Sequence, residues 1–296
     1  RARSHSPDFK PPRTGCLDGQ LARADKAIMG QRYPPHALVV YTASVLFWAF
    51  LTRAWRALGL SSYLNREYSG LPNHQKILFN SHVISNLHAL AAIYGGLVCY
   101  VCDDALNDPM LMAFNDSPAR DTYLMITAGY LSHDLILCLY NQDTFGDALT
   151  IMHHALIVVA FITGTVVHIG TFYMASFLVN EVSTIFYNFN HFLAKSKDKH
   201  AAYYKANGLM LALTFLVFRI CFNFYNLYLM GWNWYTLAYK RDMWRTETDT
   251  TRHVLAPFLS LLAVGHVVIN VIWFFFICKA VARKLWRRSP EKTHVE

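Results

Sequence analysis

Two adjacent histidines, His153 and His154, lie in a long stretch of the chain without charged residues. Asp134 and Glu181 occupy similarly apolar surroundings before and after this pair. A carboxylate beside a histidine can orient the ring and exchange a proton with it near neutral pH. We therefore predict that His153, His154, Asp134 and Glu181 form a catalytic or lipid-binding site. Because successive residues of a helix point about 100° apart, we expect only one of the two histidines to face a cavity.

Three further residues, His88, Arg219 and His266, are predicted to line a lipid-binding cavity, because ionisable side chains in apolar segments are rare and often functional. For Arg219 the alternative is a structural ion pair with Glu181, since an isolated charge in hydrocarbon needs a partner. The other acid, Asp134, must then pair with a histidine or stay protonated. Helix depths place Asp134 and the histidine pair in one layer, and the remaining polar groups in a layer nearer the middle of the membrane.

The histidine spacing argues against a metal cluster. Di-iron lipid desaturases need several HxxxH and HxxHH boxes, and the sequence contains neither pattern. Cys138, Cys221 and Cys278 lie in or at the end of apolar segments, where a thiol is a small hydrophobic group. Cys99 and Cys102 form a CxxC without a second pair, which does not indicate zinc. No metal and no resident cofactor are therefore predicted.

The composition places these residues in a membrane. Of the 296 residues 54% are hydrophobic and only 16% charged, whereas soluble domains carry about 25% charged residues. Residues 33–52, 77–102, 148–180 and 254–278 contain no Asp, Glu, Lys or Arg. About 20 such residues cross the hydrocarbon core as a helix, so we predict an all-α, multi-pass transmembrane protein. Its basic residues lie in the tails and between the apolar runs, which excludes a nucleic-acid interface and leaves membrane lipids as partners.

We predict seven transmembrane helices, with a tight hairpin at 168–171 that contains Gly170. The predicted spans are 36–55, 78–101, 121–140, 148–168, 172–193, 206–231 and 254–280. Residues 1–32 are expected to form a disordered basic tail, 33–60 the first helix with its connector, 77–280 a six-helix domain, and 281–296 a basic cytosolic tail. Lys and Arg in the short loops predict a lumenal N-terminus and a cytosolic C-terminus. A sequon at Asn115 would then be lumenal.

Five motifs in order resemble the TLC-domain family, whose members include ceramide synthases and translocon-associated proteins. They are Asn80-Ser81 through Ser85 to His88, Gly129-Tyr130-Leu131 with Asp134, Gly146-Asp147 through Met152-His153-His154, Glu181-Val182-Ser183-Thr184 with Asn188, and Asn207-Gly208 through Arg219-Ile220. The resemblance covers residues 78–278 and implies a barrel-like bundle of six helices in an endoplasmic-reticulum-type membrane. It implies a role in lipid synthesis, sensing or homeostasis, and it adds Ser183, Thr184 and Asn188 to the predicted cavity.

The catalytic pattern of ceramide synthases is only partly present. In that family the paired histidines are followed by two Asp residues and a later Glu, and these positions correspond here to Glu181, Thr184 and Asn188. One acid of three remains, which argues against N-acyl transfer if those carboxylates activate the histidines.

Three functions follow as hypotheses. The first is a lipid-homeostasis protein without catalysis, whose bundle holds a lipid. The second is a ceramide-synthase-like acyltransferase with acyl-CoA as co-substrate, in which His153 or His154 acts as base or acyl acceptor and Glu181 tunes it. The third is a receptor or transporter, which is less favoured because the sequence shows no pair of interrupted helices at corresponding positions.

Overall fold

The computed structural model of the chain describes residues 34–101, 105, 108–114, 117–145, 147–194, 202–240 and 250–286. The predicted tail 1–32, the Asn115 sequon and residues 287–296 lie outside this part. Within it, all regular secondary structure is helical, which confirms the predicted all-α, multi-pass fold class.

The principal helices are numbered in chain order. They are α1 Pro34–Ala57, α2 Asn73–Val101, α3 Pro118–Tyr140, α4 Ala148–Val167, α5 Thr171–Phe177, α6 Val182–Ala194, α7 Ala202–Thr214, α8 Phe222–Tyr235 and α9 Thr250–Trp286. Short helices, Ser61–Leu64, Pro109–Phe114 and Gln142–Phe145, lie in the connections. Six stretches of the described chain are long and apolar enough to cross a membrane as helices.

Residues 172–193, predicted as the fifth of seven crossings, are not among these six stretches, because they do not form one continuous helix. A 3₁₀ segment, Leu178–Glu181, separates α5 from α6. Serine hydroxyls on either side account for this tighter 3₁₀ geometry. Ser176 donates to the carbonyl of Tyr173 at 2.6 Å, and Ser183 donates to the carbonyl of Asn180 at 3.0 Å. Such bonds compete with the regular helical ladder.

The sixth crossing is also irregular, because a π-helical segment, Phe215–Cys221, joins α7 to α8. These two irregular segments do not test the prediction that no pair of helices is interrupted at corresponding positions, which stays a prediction. Neither the LVNE nor the FLVFRIC segment contains Pro or Gly, so the sequence gives no signal for either interruption. π-Helical turns often occur at functional sites, and these two segments carry Glu181 and Arg219.

The hairpin predicted between the fourth and fifth crossings is confirmed. Helix α4 begins at an N-cap, Asp147, whose carboxylate accepts hydrogen bonds from the backbone N–H of Leu149 and the hydroxyl of Thr150, both at 3.0 Å. It ends at His168 with φ of 54°, and Gly170 follows with φ of 68°, a left-handed conformation that glycine adopts without strain. The chain therefore reverses directly into α5.

Helix α3 lies at the centre of the bundle, while α1 lies at its edge. In the 18-residue apolar stretch of α3, 50% of the residues are buried, whereas 17% are buried in the corresponding stretch of α1. The two helices meet where α3 has Gly129: a Cβ there would lie 2.5 Å from Ser44 Oγ and 2.9 Å from the backbone nitrogen of Val45. The absent side chain thus permits a close helix contact, across which Ser44 donates to the carbonyl of Ile126 at 2.7 Å.

Candidate functional site

The structure brings together Asp134 of α3 and His154 of α4. The distance between Asp134 Oδ2 and His154 Nδ1 is 3.5 Å, and both side chains are nearly buried, with 12% and 13% of their surface exposed. Ser81 of α2 donates a hydrogen bond to the other carboxylate oxygen at 3.1 Å. The thiol of Cys138, one helical turn after Asp134, lies 4.0 Å from Oδ2. A carboxylate held in this way can orient the imidazole and share a proton with it.

Arg219 is the centre of a second polar cluster. Its Nε donates to Ser183 at 2.7 Å and its Nη2 donates to Thr184 at 2.8 Å. Nη2 also pairs with Glu181 Oε1 at 3.3 Å, and Nη1 donates to Asn270 Oδ1 at 3.2 Å. Four hydrogen bonds thus bind the guanidinium, which has five N–H donors. The predicted ion pair is present and joins the irregular segments of the fifth and sixth crossings.

The two layers of polar groups meet through His153 and His266. The His153 ring stacks on the His266 ring with centroids 5.1 Å apart, and it contacts Trp273 at 4.8 Å. His266 Nε2 lies 3.2 Å from the amide nitrogens of both Asn180 and Asn270. Since Asn270 also accepts from Arg219, the ionisable interior is one connected cluster rather than two separate layers.

His88 and Asn188 have other direct partners. The His88 ring stacks on Tyr130 at 3.9 Å and packs edge-on against Trp48 at 5.8 Å. The Asn188 amide contacts His82 Nδ1 at 2.7 Å and donates to Asn86 at 3.0 Å. Both residues fix the position of α2 within the bundle.

A partly enclosed cavity lies between α3, α4, α5, α8 and α9. Its wall is mostly apolar, with Ile157, Phe161 and Leu259 among the lining side chains, and Asn180, Glu181 and His266 lie together at one end. The volume of the cavity that the centre of a water molecule can occupy is about 50 Å³. From Gly170 at the hairpin to Glu181 the cavity extends for roughly 16 Å of helix. These dimensions describe a narrow apolar slot with a polar end.

Of the predicted site residues only Glu181 and His266 line this cavity. The cavity wall does not include His153, His154, Asp134 or Arg219. Ser183 and Thr184 also do not line the cavity, because their hydroxyls accept hydrogen bonds from Arg219. Sequence reasoning missed Asn180 and most of the apolar wall. Asn180 had one available signal, its position beside Glu181 in an otherwise uncharged stretch. The apolar wall had none, because a leucine that lines a cavity resembles one that faces lipid.

Comparison with known proteins identifies the family to which the chain is similar. The TLC domain family model matches residues 78–279. The chain is 35% identical to TLC domain-containing protein 4-B of Danio rerio over 173 residues, which cover 54% of this chain and 61% of that protein. It is 28% identical to TLC domain-containing protein 4-B of Xenopus laevis over 280 residues, covering 89% and 97%. It is also 28% identical to TLC domain-containing protein 4 of Homo sapiens over 166 residues, covering 54% and 60%.

The matched region contains helices α3 to α8 and most of α2 and α9. It therefore contains every residue of the polar cluster and of the cavity. The family model covers more than half of the chain. The chain therefore belongs to the TLC-domain family.

Proposed function

We propose that this protein binds a membrane lipid in the cavity and acts in lipid homeostasis, by holding, sensing or presenting that lipid. The observation that supports the proposal is the combination of an apolar slot with a polar end inside a transmembrane bundle. Ligand sites in proteins commonly pair apolar walls with a few placed polar groups. An alkyl chain fits the slot, and a polar group of the lipid meets Asn180, Glu181 and His266.

The charges at the polar end indicate which lipid class fits. Arg219 is paired with Glu181 at this end, and four of its five donors already bind protein acceptors. A phosphate would need free cationic donors and would face the Glu181 carboxylate. The site therefore favours a lipid with an uncharged polar group, such as a hydroxyl or an amide, and among sphingolipids ceramide meets this description.

Filling the slot is expected to reduce lipid binding. Ala263 of α9 lines the cavity, whereas Ala280 of the same helix faces outward. We expect Ala263→Phe to lower the amount of co-purifying lipid per chain by about tenfold, equivalent to about 1.4 kcal/mol of binding free energy. Native mass spectrometry of the protein released from micelles measures this ratio.

Ala280→Phe is the matched control, because it adds the same side chain on the outer surface of the same helix. It should leave the lipid ratio unchanged. Equal lipid content in wild type and in a folded Ala263→Phe protein would overturn the lipid-binding proposal.

A second candidate function is acyl transfer of the ceramide-synthase type, with acyl-CoA as the acyl donor. The observation that favours it is the Ser81–Asp134–His154 array, in which a carboxylate oxygen lies 3.5 Å from a ring nitrogen of a histidine. The other two positions of the family's acidic pattern hold Thr184 and Asn188, which bind Arg219 and His82. Glu181 contacts Arg219, so Asp134 rather than Glu181 would tune His154.

Reconstitution separates the two functions. If the protein is an acyltransferase, the purified chain with long-chain acyl-CoA and a sphingoid base forms an N-acyl product, and His154→Ala lowers the rate by at least about 100-fold. His153, which stacks on His266 and does not touch Asp134, should matter less. Lipid binding without any product would leave the first proposal and remove this one.

We also propose that the protein resides in the endoplasmic reticulum membrane with a cytosolic C-terminus. Membership of the TLC-domain family supports the location, and the excess of Lys and Arg in the loops on the cytosolic side of the predicted topology supports the orientation. Protease treatment of intact microsomes should remove a C-terminal tag, and a protected tag would reverse the orientation.

A further inference from the structure

Three side chains at the interface of α3 and α4 are suited to ligate a metal: Asp134, Cys138 and His154. One ligand atom from each can be chosen so that all three lie within 4.8 Å of one another. We propose that they form a mononuclear site for a borderline-soft divalent ion of the Zn²⁺ type. The proposal goes beyond lipid binding, because none of the three residues lines the cavity.

The distances fit one tetrahedral ion after small adjustments. Zinc bonds of about 2.0–2.3 Å at tetrahedral angles separate the ligand atoms by about 3.3–3.6 Å. Asp134 Oδ2 lies 3.5 Å from His154 Nδ1 and 4.0 Å from Cys138 Sγ. Asp134 and Cys138 are one helical turn apart, so both side chains project from the same face of α3. All three ligand atoms lie within 4.8 Å of one another, so the Cys138 and His154 side chains must approach by up to about 1.2 Å to bind one ion.

The chemistry of the ligand set selects the ion. A thiolate and an imidazole favour Zn²⁺ over Mg²⁺ or Ca²⁺, which prefer oxygen ligands. On binding, the thiol of Cys138 releases its proton to solvent, and the imidazole of His154 binds through Nδ1 with its proton on Nε2. One carboxylate and one thiolate then balance the two positive charges of the ion. Such neutrality matters within a membrane, where an unbalanced charge is costly.

Two features of the surroundings support a ligand here. Nδ1 of His154 is buried and makes no hydrogen bond with any residue in the described ranges, although it faces a carboxylate. Ser81 donates to the second oxygen of Asp134 and so orients the carboxylate from the outer shell, as residues around metal sites commonly do.

The site is close to one face of the membrane. Asp134 precedes the end of α3 at Tyr140, and His154 follows the start of α4 at Ala148, in each case by about 9 Å of helix. Their side chains retain 12% and 13% exposure, which leaves a route for an ion. Three protein ligands also leave a fourth position for a water or for an oxygen of a lipid.

The test is metal binding by the full chain in detergent micelles. After incubation with excess Zn²⁺ and desalting, elemental analysis should find about one zinc per chain. Cys138→Ser should lower this stoichiometry by at least about tenfold, and Ser81→Ala should weaken affinity by about tenfold, the scale found for outer-shell residues. Cys99→Ser is the matched control, because Cys99 is another buried thiol in a transmembrane helix, and it should retain the zinc.

A second measurement avoids dependence on variant folding. Zn²⁺ that binds the native state raises the melting temperature of the wild type in a concentration-dependent way. Co²⁺ should give a thiolate-to-metal charge-transfer band that Cys138→Ser abolishes. Zinc stoichiometry near zero in a wild type that melts cooperatively, or zinc that survives Cys138→Ser, would overturn the proposal. The Ala263→Phe lipid experiment involves none of these residues, so either proposal can fail while the other stands.

Discussion

Replacing Arg219 by methionine is expected to lower the free energy of unfolding by about 3–5 kcal/mol, the cost of leaving one partner of a buried ion pair alone. Methionine keeps most of the length of the side chain but removes its donors. Glu181 then loses its cation, and the oxygens of Ser183, Thr184 and Asn270 lose their hydrogen bonds. Thermal melting of the purified protein in detergent measures the effect.

Two controls give this prediction its specificity. Arg53→Met removes an exposed arginine of α1 and should change stability by no more than about 0.5 kcal/mol. The double variant Arg219→Met/Glu181→Gln removes both charges and should recover part of the loss, because no unpaired carboxylate then remains. If Arg219→Met melts like Arg53→Met, the cluster does not hold the interrupted crossings together.

Replacing Gly129 by valine is expected to destabilise the protein by about 3 kcal/mol, the upper end of the range for overpacking. The new side chain would overlap Ser44 and the backbone of Val45, and backbone cannot rotate away. Helix α1 must therefore move outward from α3, and the hydrogen bond from Ser44 to the carbonyl of Ile126 must break. The midpoint of thermal unfolding and the rate of proteolysis in micelles both report this change.

Gly208→Val is the matched substitution for Gly129→Val. Gly208 also lies in a transmembrane helix, but a Cβ added there meets no atom within 4 Å. The intrinsic helix propensities of glycine and valine enter both variants equally, so the difference between them measures the contact with α1. Equal melting temperatures for the two variants would show that α1 is not packed against Gly129.

The polar interior has three parts with different roles. The Arg219 cluster has well-satisfied hydrogen bonds and fixes two irregular crossings, so its role is structural, apart from Glu181 at the cavity end. The Asp134–His154 couple is less well satisfied, since Nδ1 of His154 makes no hydrogen bond within the described part of the chain. The chemistry of the protein is therefore expected at this couple, and lipid contact at Asn180 and His266.

The sequence by itself determined the membrane class and most of the boundaries. Long runs without charged residues identify the membrane-spanning segments, because charge is costly in hydrocarbon. Each segment must be a helix, because a helix satisfies its own backbone hydrogen bonds there. The same reasoning predicted the hairpin at Gly170 and the ion pair between Arg219 and Glu181, and both are present. Because Arg219 was the one permanent cation predicted beside two carboxylates in the spans, the sequence also predicted that Asp134 would pair with a histidine or stay protonated.

Only the tertiary structure decided which histidine faces Asp134, where the cavity lies and where the helices are interrupted. His153 and His154 are chemically identical and adjacent, so their roles depend on the rotation of α4 against α3 and α9. Cys138 is a small hydrophobic side chain in the sequence and becomes a candidate ligand only because α4 brings His154 beside it. Packing between helices depends on side-chain shape across distant segments, and one-dimensional patterns of charge and hydropathy do not contain that information.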